Sequence, residues 1–308
     1  MSLDFSICTP VYNRAHLLPR LYESLKSSCS EGISFEWLIV DDGSIDDIQS
    51  FIKEVESEGL LDYRYIRKEN QGKHSCMNVF FKEAKGELTL ILDSDDLLAP
   101  NALKEANKIW KQIGKQEKFA GIVGLCIDLA TQKPSAQEFP KDPMESTILE
   151  NAYKYNMKGD RCDFIRTSLL KGKAFPVYSD EKFMPEAVIT TAFDADKKYY
   201  CTNSAFKIIE YQADGLTNSY DKLAMRNPKG MCLRFQLILE NINLIKLPSG
   251  KNKLKFYGNY MRYLCHRDGV VKALVEYCKI PKFFLLNWFI GAPVGSVMYV
   301  KDKLMKGS

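Results

Sequence analysis

The chain has 308 residues, 45% of them hydrophobic and 27% charged, which is the balance of a soluble globular protein with a sizeable core. Its length favours one large domain with an appendage over two equal domains. Its nine cysteines lie mostly inside apolar runs, as Cys8, Cys126 and Cys232 do. No C-x-x-C spacing occurs, which argues against a zinc ribbon or a dithiol redox motif.

Up to about residue 126, short apolar runs alternate with helical patterns. "DFSICTP" reads as a strand, and Leu17, Leu18, Leu21, Tyr22 and Leu25 then recur at helical spacing. "FEWLIVDD" is a second strand, followed by a helix marked by Ile48, Phe51, Ile52 and Val55. "DYRYIRK" is a third, with a helix over Met77 to Ala84. "ELTLIL" is a fourth, with a helix from about Pro100 to Ile113, and "FAGIVGLCID" is a fifth. Strands and helices that alternate through short links predict βαβ units and a mostly parallel sheet flanked by helices, an α/β fold. Ligands of such sheets bind beyond the carboxyl ends of the strands, near a switch in strand order. Four polar clusters fall at those ends: Thr9 to Ala15, Asp41 to Ser44, Glu69 to His74, and Asp93 to Asp96. No G-x-G-x-x-G follows the first strand and no G-x-x-x-x-G-K-[ST] occurs, so neither a dinucleotide fingerprint nor a P-loop is present.

Taken in order, "SICTPVYNR", "WLIVDDGS", "ENQGKHSCMN" and "LILDSDD" resemble family 2 glycosyltransferases of the GT-A fold. The likeness is close over residues 4–105 and looser to about 219, through "EKFMPEAV" and "EYQADGLTNS". It implies a catalytic domain over 1–219, with 1–105 as the nucleotide-sugar half and 106–219 as the acceptor half. A basic helical extension would follow over 220–308. It also implies an inverting, metal-dependent glycosyltransferase with a nucleotide-sugar donor, UDP-linked. The acceptor would be a lipid-linked or oligosaccharide chain in bacterial surface-polysaccharide synthesis.

The chemistry of each cluster stands beside that name. Asp93 and Asp95 can reach one divalent cation, and oxygen ligands suit Mg²⁺ or Mn²⁺. Such a cation would offset both their mutual repulsion and the charge of a departing diphosphate. Otherwise Asp95 or Asp96 favours a helix dipole. Ser94 lies between the two acids, on the donor side. The resemblance makes Asp42 a nucleotide contact through the uracil imide, while Asp41 or Asp42 could instead close an Asx turn before Gly43. Tyr12 can stack on the base or belong to the core. Thr9 and Pro10 offer backbone groups, and Asn13 and Arg14 border the same pocket. Lys73, after Gly72 at a helix start, suits a diphosphate, whereas His74 reads as a structural histidine.

An inverting transfer needs a base to deprotonate the acceptor. "DEKFMPEAV" offers Asp180, Glu181 and Glu186, and the resemblance favours Glu186 at the Pro185 helix start. Ala187 replaces the acid that commonly follows in the family, so a plain first-turn glutamate stays open. Asn218 and Arg226 either touch the substrate or line a surface loop over Asp214 to Gly230. The alternatives to transfer are a catalytically silent sugar-nucleotide or membrane-binding module, or a nucleotidyltransferase. The latter's basic glycine-rich loop after the first strand is missing.

The last part of the sequence differs in texture. Residues 246–308 carry twelve Lys/Arg against Asp268, Glu276 and Asp302, a net +9 that leaves −5 on residues 1–245. Inside them Phe283 to Val300 is an uncharged run of 18 residues, at the lower limit for a membrane span. Gly291, Pro293 and Gly295 interrupt it. An aromatic-rich segment flanked by lysines suits peripheral contact with an anionic membrane; a helical hairpin packed on the protein is the other reading. No groove-reading module suggests nucleic acid. "MSLDFSICTP" has neither a basic n-region nor a long apolar h-region, so we expect no signal peptide. The expected location is the cytoplasm, peripheral on the inner face of the plasma membrane.

Overall fold

The structure, a computed structural model, describes residues 3–29, 32–114, 116–193, 196–212, 220–241, 250–280, 282 and 285–306. It divides into two compact units. One holds Met1–Thr147, Met157–Val177 and Asp196–Ala213, and the other holds Ile148–Asn156, Tyr178–Ala195 and Asp214–Ser308. The second unit therefore takes in two short stretches from before residue 219 as well as the C-terminal part.

The first unit is built on one sheet, with ten strands among the described residues. They are β1 (Phe5–Val11), β2 (Phe35–Asp41), β3 (Tyr63–Arg67), β4 (Leu88–Ile91), β5 (Leu97–Leu98), β6 (Phe119–Asp128), β7 (Lys133–Pro134), β8 (Met144–Ser146), β9 (Arg161–Arg166) and β10 (Lys198–Ile209). The main path runs β3-β2-β1-β4-β9-β6-β10-β5. β3, β2, β1 and β4 are mutually parallel, and their carboxyl ends lie on one edge. Strand order switches between β1 and β4, the place where open α/β sheets bind ligands. Beyond β4 the sheet is mixed. β9 pairs antiparallel with both β4 and β6, and β6 and β10 pair parallel.

The helices of this unit are α1 (Leu18–Lys26), α2 (Ile48–Glu58), α3 (Lys73–Glu83), α4 (Ala102–Ile113) and the short α5 (Thr167–Leu170). Local chemistry bounds them. Asp47 caps α2 by accepting from the Ser50 N–H at 3.1 Å, and Gly59 ends it in the left-handed region at φ 61°, where glycine meets no Cβ penalty. β1 and β2 are buried along their whole length, as strands covered on both faces must be. Trp37 anchors the core. It stacks on Tyr22 with ring centres 5.9 Å apart and meets Phe51 edge-on.

The second unit is helical: α6 (Ala187–Phe193), α7 (Tyr220–Arg226), α8 (Pro228–Glu240), α9 (Gly250–Asp268), α10 (Val270–Tyr277) and α11 (Leu285–Lys306). The stretch expected as a polar loop over Asp214 to Gly230 is thus helical from Tyr220 apart from Asn227, while Asn218 lies outside the described residues. Leu149, Phe235, Phe256, Tyr260 and Tyr277 share one buried cluster, so the 148–156 stretch is tied to this unit by its apolar side chains.

The interruption expected at Gly291, Pro293 and Gly295 does not occur; α11 runs unbroken through them. The glycines are contact points. A Cβ on Gly295 would lie 2.3 Å from the Gly258 carbonyl oxygen, and one on Gly291 would lie 2.5 Å from Tyr257 Cβ. Close backbone approach of α9 and α11 outweighs the helix cost of glycine, about 1 kcal/mol each. Asp302 on α11 adds a buried polar clamp. It accepts from Arg262 Nη2 at 2.7 Å and contacts His266 Nε2 at 2.8 Å. Burial pushes its carboxyl up, but Arg262 and His266 outweigh that and hold it below the usual range. Asp302→Ala would leave Arg262 without its counter-charge, and we expect a loss of about 3 kcal/mol in chemical denaturation. The clamp's contribution should also fade in acid, as the pH falls through the depressed carboxyl pKa.

Candidate active site

Four loops follow β1, β2, β3 and β4, and each is tied to the next. Asn13 after β1 sits at φ 53°, a left-handed conformation that asparagine tolerates. Its N–H donates to Ser44 Oγ at 2.9 Å, and its Oδ1 accepts from the Ile45 N–H at 2.9 Å. The first loop is thereby fastened to the second.

Asp42 fastens the second loop to the third. Its carboxylate accepts from the Gly72 N–H at 2.7 Å, the Gln71 N–H at 3.0 Å and Lys68 Nζ at 2.7 Å. The expectation put this carboxylate on a nucleotide base. In the structure it is 3% exposed and shapes the turn that leads into Lys73. Gly43 beside it lets the third loop come close, since a Cβ there would meet the Asn70 nitrogen at 2.9 Å. Asp41 closes the Asx turn, accepting from the Ser44 N–H at 2.7 Å and from Tyr65 Oη at 2.7 Å.

Lys73 fastens the third loop to the fourth. Its ammonium lies 2.6 Å from Asp93 Oδ1 and 2.7 Å from Oδ2. The fourth loop has two further anchors. Arg20 of α1 donates to the Asp95 carbonyl at 2.6 Å and pairs with Glu210 at 2.6 Å. Lys207 of β10 pairs with Asp96 at 2.8 Å. Burial raises the Asp93 carboxyl, but Lys73 and Lys207 outweigh it and hold it low. Burial, with Asp93 next to it, raises Asp95.

The expected site residues fall into two groups. Tyr12 is 49% exposed at the end of β1; it, Asn13, Arg14, Asp93 and Asp95 follow β1 and β4 at the switch, and Lys73 opens α3 and reaches Asp93. Thr9, Pro10, Asp42 and Ser94 are buried. Thr9 is committed to the core, where its Oγ1 accepts from Trp37 Nε1 at 2.9 Å. His74 is buried against Phe175, and burial lowers its basicity. Lys68, Arg20 and Lys207 escaped the sequence reading. Only Lys207 leaves a signal: a lysine inside the apolar strand "AFKII", in a fold with a surplus of acids at a strand end.

In the helical unit, Glu186 is exposed immediately before α6. The other two acids of this stretch have structural partners. Asp180 holds Lys229 Nζ at 2.6 Å, and the buried Glu181 caps α8 by accepting from the Lys229 N–H at 2.9 Å and the Gly230 N–H at 3.3 Å.

Among the described residues no cluster of three or more His, Cys, Asp or Glu side chains forms a closed metal cage. Asp93 and Asp95 instead suit a cation that takes its remaining ligands from a diphosphate and water, as Mg²⁺ does in nucleotide sites. That Asp93 already binds one ammonium fits a place that takes positive charge.

Residues 6–171 match the sequence pattern described as Glycosyl transferase family 2. The chain belongs to that family. An uncharacterised glycosyltransferase of Rickettsia bellii is 34% identical over 107 residues, covering 35% of this chain and 15% of its own length. The poly(ribitol-phosphate) β-N-acetylglucosaminyltransferase TarS of Staphylococcus aureus is 26% identical over 172 residues, 55% of this chain and 28% of TarS. An undecaprenyl-phosphate 4-deoxy-4-formamido-L-arabinose transferase of Klebsiella pneumoniae is 35% identical over 92 residues, 29% of this chain and 28% of that protein. The matched chain thus spans well under half the length of these curated relatives. Among solved structures, S. aureus TarS 1–349 in complex with UDP-GlcNAc aligns with a TM-score of 0.61 at 18% identity, over 99% of this chain and 93% of that one. The mannosyltransferase PcManGT of Pyrobaculum calidifontis, in complex with GDP-Man and Mn²⁺, aligns at 0.53 and 16% identity, over 98% and 88%. The shared fold is GT-A, a curled α/β sheet with flanking helices. No helix among the described residues is long and apolar enough to cross a membrane.

Proposed function

We propose that this family 2 chain transfers a sugar, with inversion, from a UDP-linked donor to a lipid-linked or polysaccharide acceptor in bacterial surface-glycan synthesis. It would work in the cytoplasm, at the inner face of the plasma membrane. The observation that carries the reading is the series of tied loops at the strand ends, which brings Lys73 onto Asp93, two residues from Asp95, beside the β1–β4 switch. The complexes of TarS with UDP-GlcNAc and of PcManGT with GDP-Man and Mn²⁺ support a nucleotide-sugar donor and a divalent cation. The names of the TarS and undecaprenyl-phosphate relatives support the acceptor class.

In this reading Tyr12 stacks on the base, with Asn13 and Arg14 beside it, and Asp42 acts through the turn it shapes. Asp93 and Asp95 would hold the cation, which when bound supplies Lewis-acid stabilisation of the leaving diphosphate. Lys73 turns from Asp93 towards the diphosphate oxygens. Glu186 takes the proton of the acceptor hydroxyl as that oxygen attacks C1 and UDP departs. The test is a panel of nucleotide sugars assayed for UDP or GDP release with Mn²⁺, and again with excess EDTA. We expect turnover with a UDP-sugar and none after chelation. Full activity in EDTA would sink the metal role, and inactivity with every donor would favour a silent binding module.

A further inference from the structure

α11 carries apolar side chains on both of its faces. Trp288, Gly291, Gly295, Tyr299 and Asp302 follow one another at helical spacing and turn inward, with Gly295 against Gly258 and Asp302 against Arg262 and His266. The opposite face carries Leu286, Phe289, Pro293, Val297, Val300 and Leu304, again at steps of three and four residues, and every one is exposed. Phe289 is 72% exposed and Leu286 70%. The helix therefore packs through two glycines, two aromatic rings and one carboxylate and leaves six apolar side chains outward. Its neighbour α10 repeats the pattern. Ala273 and Tyr277 are buried, whereas Val271 is 78% exposed and Val275 63%. A soluble monomer rarely leaves so continuous an apolar stripe uncovered.

Charge decides what covers it. Lys272, Lys301 and Lys303 are exposed on the same two helices. The two acids of residues 270–306 are already spoken for: Glu276 pairs with Lys279 at 2.7 Å, and Asp302 is buried in its clamp. A second copy would set this surplus of lysines against itself. We infer that the outer face of α10 and α11 seats the protein on an anionic lipid surface. α11, 22 residues and about 33 Å long, lies in the plane of the headgroups with its apolar stripe towards the acyl chains. Phe283 and Phe284 lie outside the described residues and are not needed for this. The inference extends the reading of the acceptor as lipid-linked. Its test uses no donor, so its failure leaves the transfer reaction standing.

The test is sedimentation of the full chain with vesicles of equal parts phosphatidylglycerol and phosphatidylcholine, and with phosphatidylcholine alone. We expect binding to the first, lost in high salt because exposed charges are screened, and much weaker binding to the second. Lys301→Glu with Lys303→Glu should weaken partitioning at least about tenfold, and Leu286→Glu with Phe289→Glu should abolish it. All four positions are exposed, and an unchanged melting temperature verifies the fold of each variant. A full-length protein indifferent to anionic vesicles would overturn the inference. So would variants that bind like the parent, or a dimer in sedimentation equilibrium that Leu286→Glu with Phe289→Glu dissociates, which would make a second copy the occupant.

Discussion

Asp95→Ala should lower sugar transfer by at least about 10³-fold, because in the proposed reaction it removes one of two carboxylates that would hold the cation, and with it several kcal/mol of the cation's stabilisation of the leaving diphosphate. The folded state should tolerate the change. The Asp95 contact that holds the loop is made by its backbone carbonyl, to Arg20, and alanine keeps that carbonyl. The discriminating measurement is UDP binding by calorimetry with and without Mn²⁺. The parent should bind UDP more tightly with the metal, and the variant should respond little to it. An Asp95→Ala enzyme with near-parental turnover would remove the carboxylate from the reaction.

Glu186→Gln keeps size and polarity but cannot accept a proton, and loss of a general base costs roughly 10²–10⁴-fold in rate. UDP affinity should stay the same, since in the proposed reaction the glutamate serves the acceptor. Its neighbours give the control. Glu181→Gln should act on stability, because that carboxylate caps α8, and a cap is worth about 1 kcal/mol. If Glu186→Gln turns over normally while Asp180→Asn does not, the base is Asp180.

The strands that carry the site were legible because their burial is written in local runs: "FSICTPV" and "FEWLIVD" are apolar nearly throughout, and the polar clusters begin where the runs stop. β9 was not. In "RCDFIR" Cys162, Phe164 and Ile165 are buried among three charged residues, and nothing local says that the strand inserts between β4 and β6. The convergence of loops was legible for the same reason as the strands, but what each side chain does there was not. Asp42 reads as a free strand-end carboxylate until Gln71 and Gly72, some thirty residues on, return to bind it. Thr9 likewise waits on Trp37. Gly291 and Gly295 carry the opposite lesson. As local propensity they break a helix; as absent side chains they let two helices touch, and only the partner helix reveals which property counts.

The interleaving of the two units has a consequence for biosynthesis. A nascent chain emerges at about 5–20 residues per second, and Ile148–Asn156 leaves the ribosome long before α8 and α9, whose side chains complete the cluster around Leu149. For several seconds that stretch and Tyr178–Ala195 have no finished core to join, although β10, the strand that flanks β6, is made between them and the C-terminal helices. The sheet can therefore close while its own insertions still hang exposed. Premature release in that interval would leave a polypeptide able to form its β1–β4 edge while its apolar loops stay unburied, a natural client for chaperones.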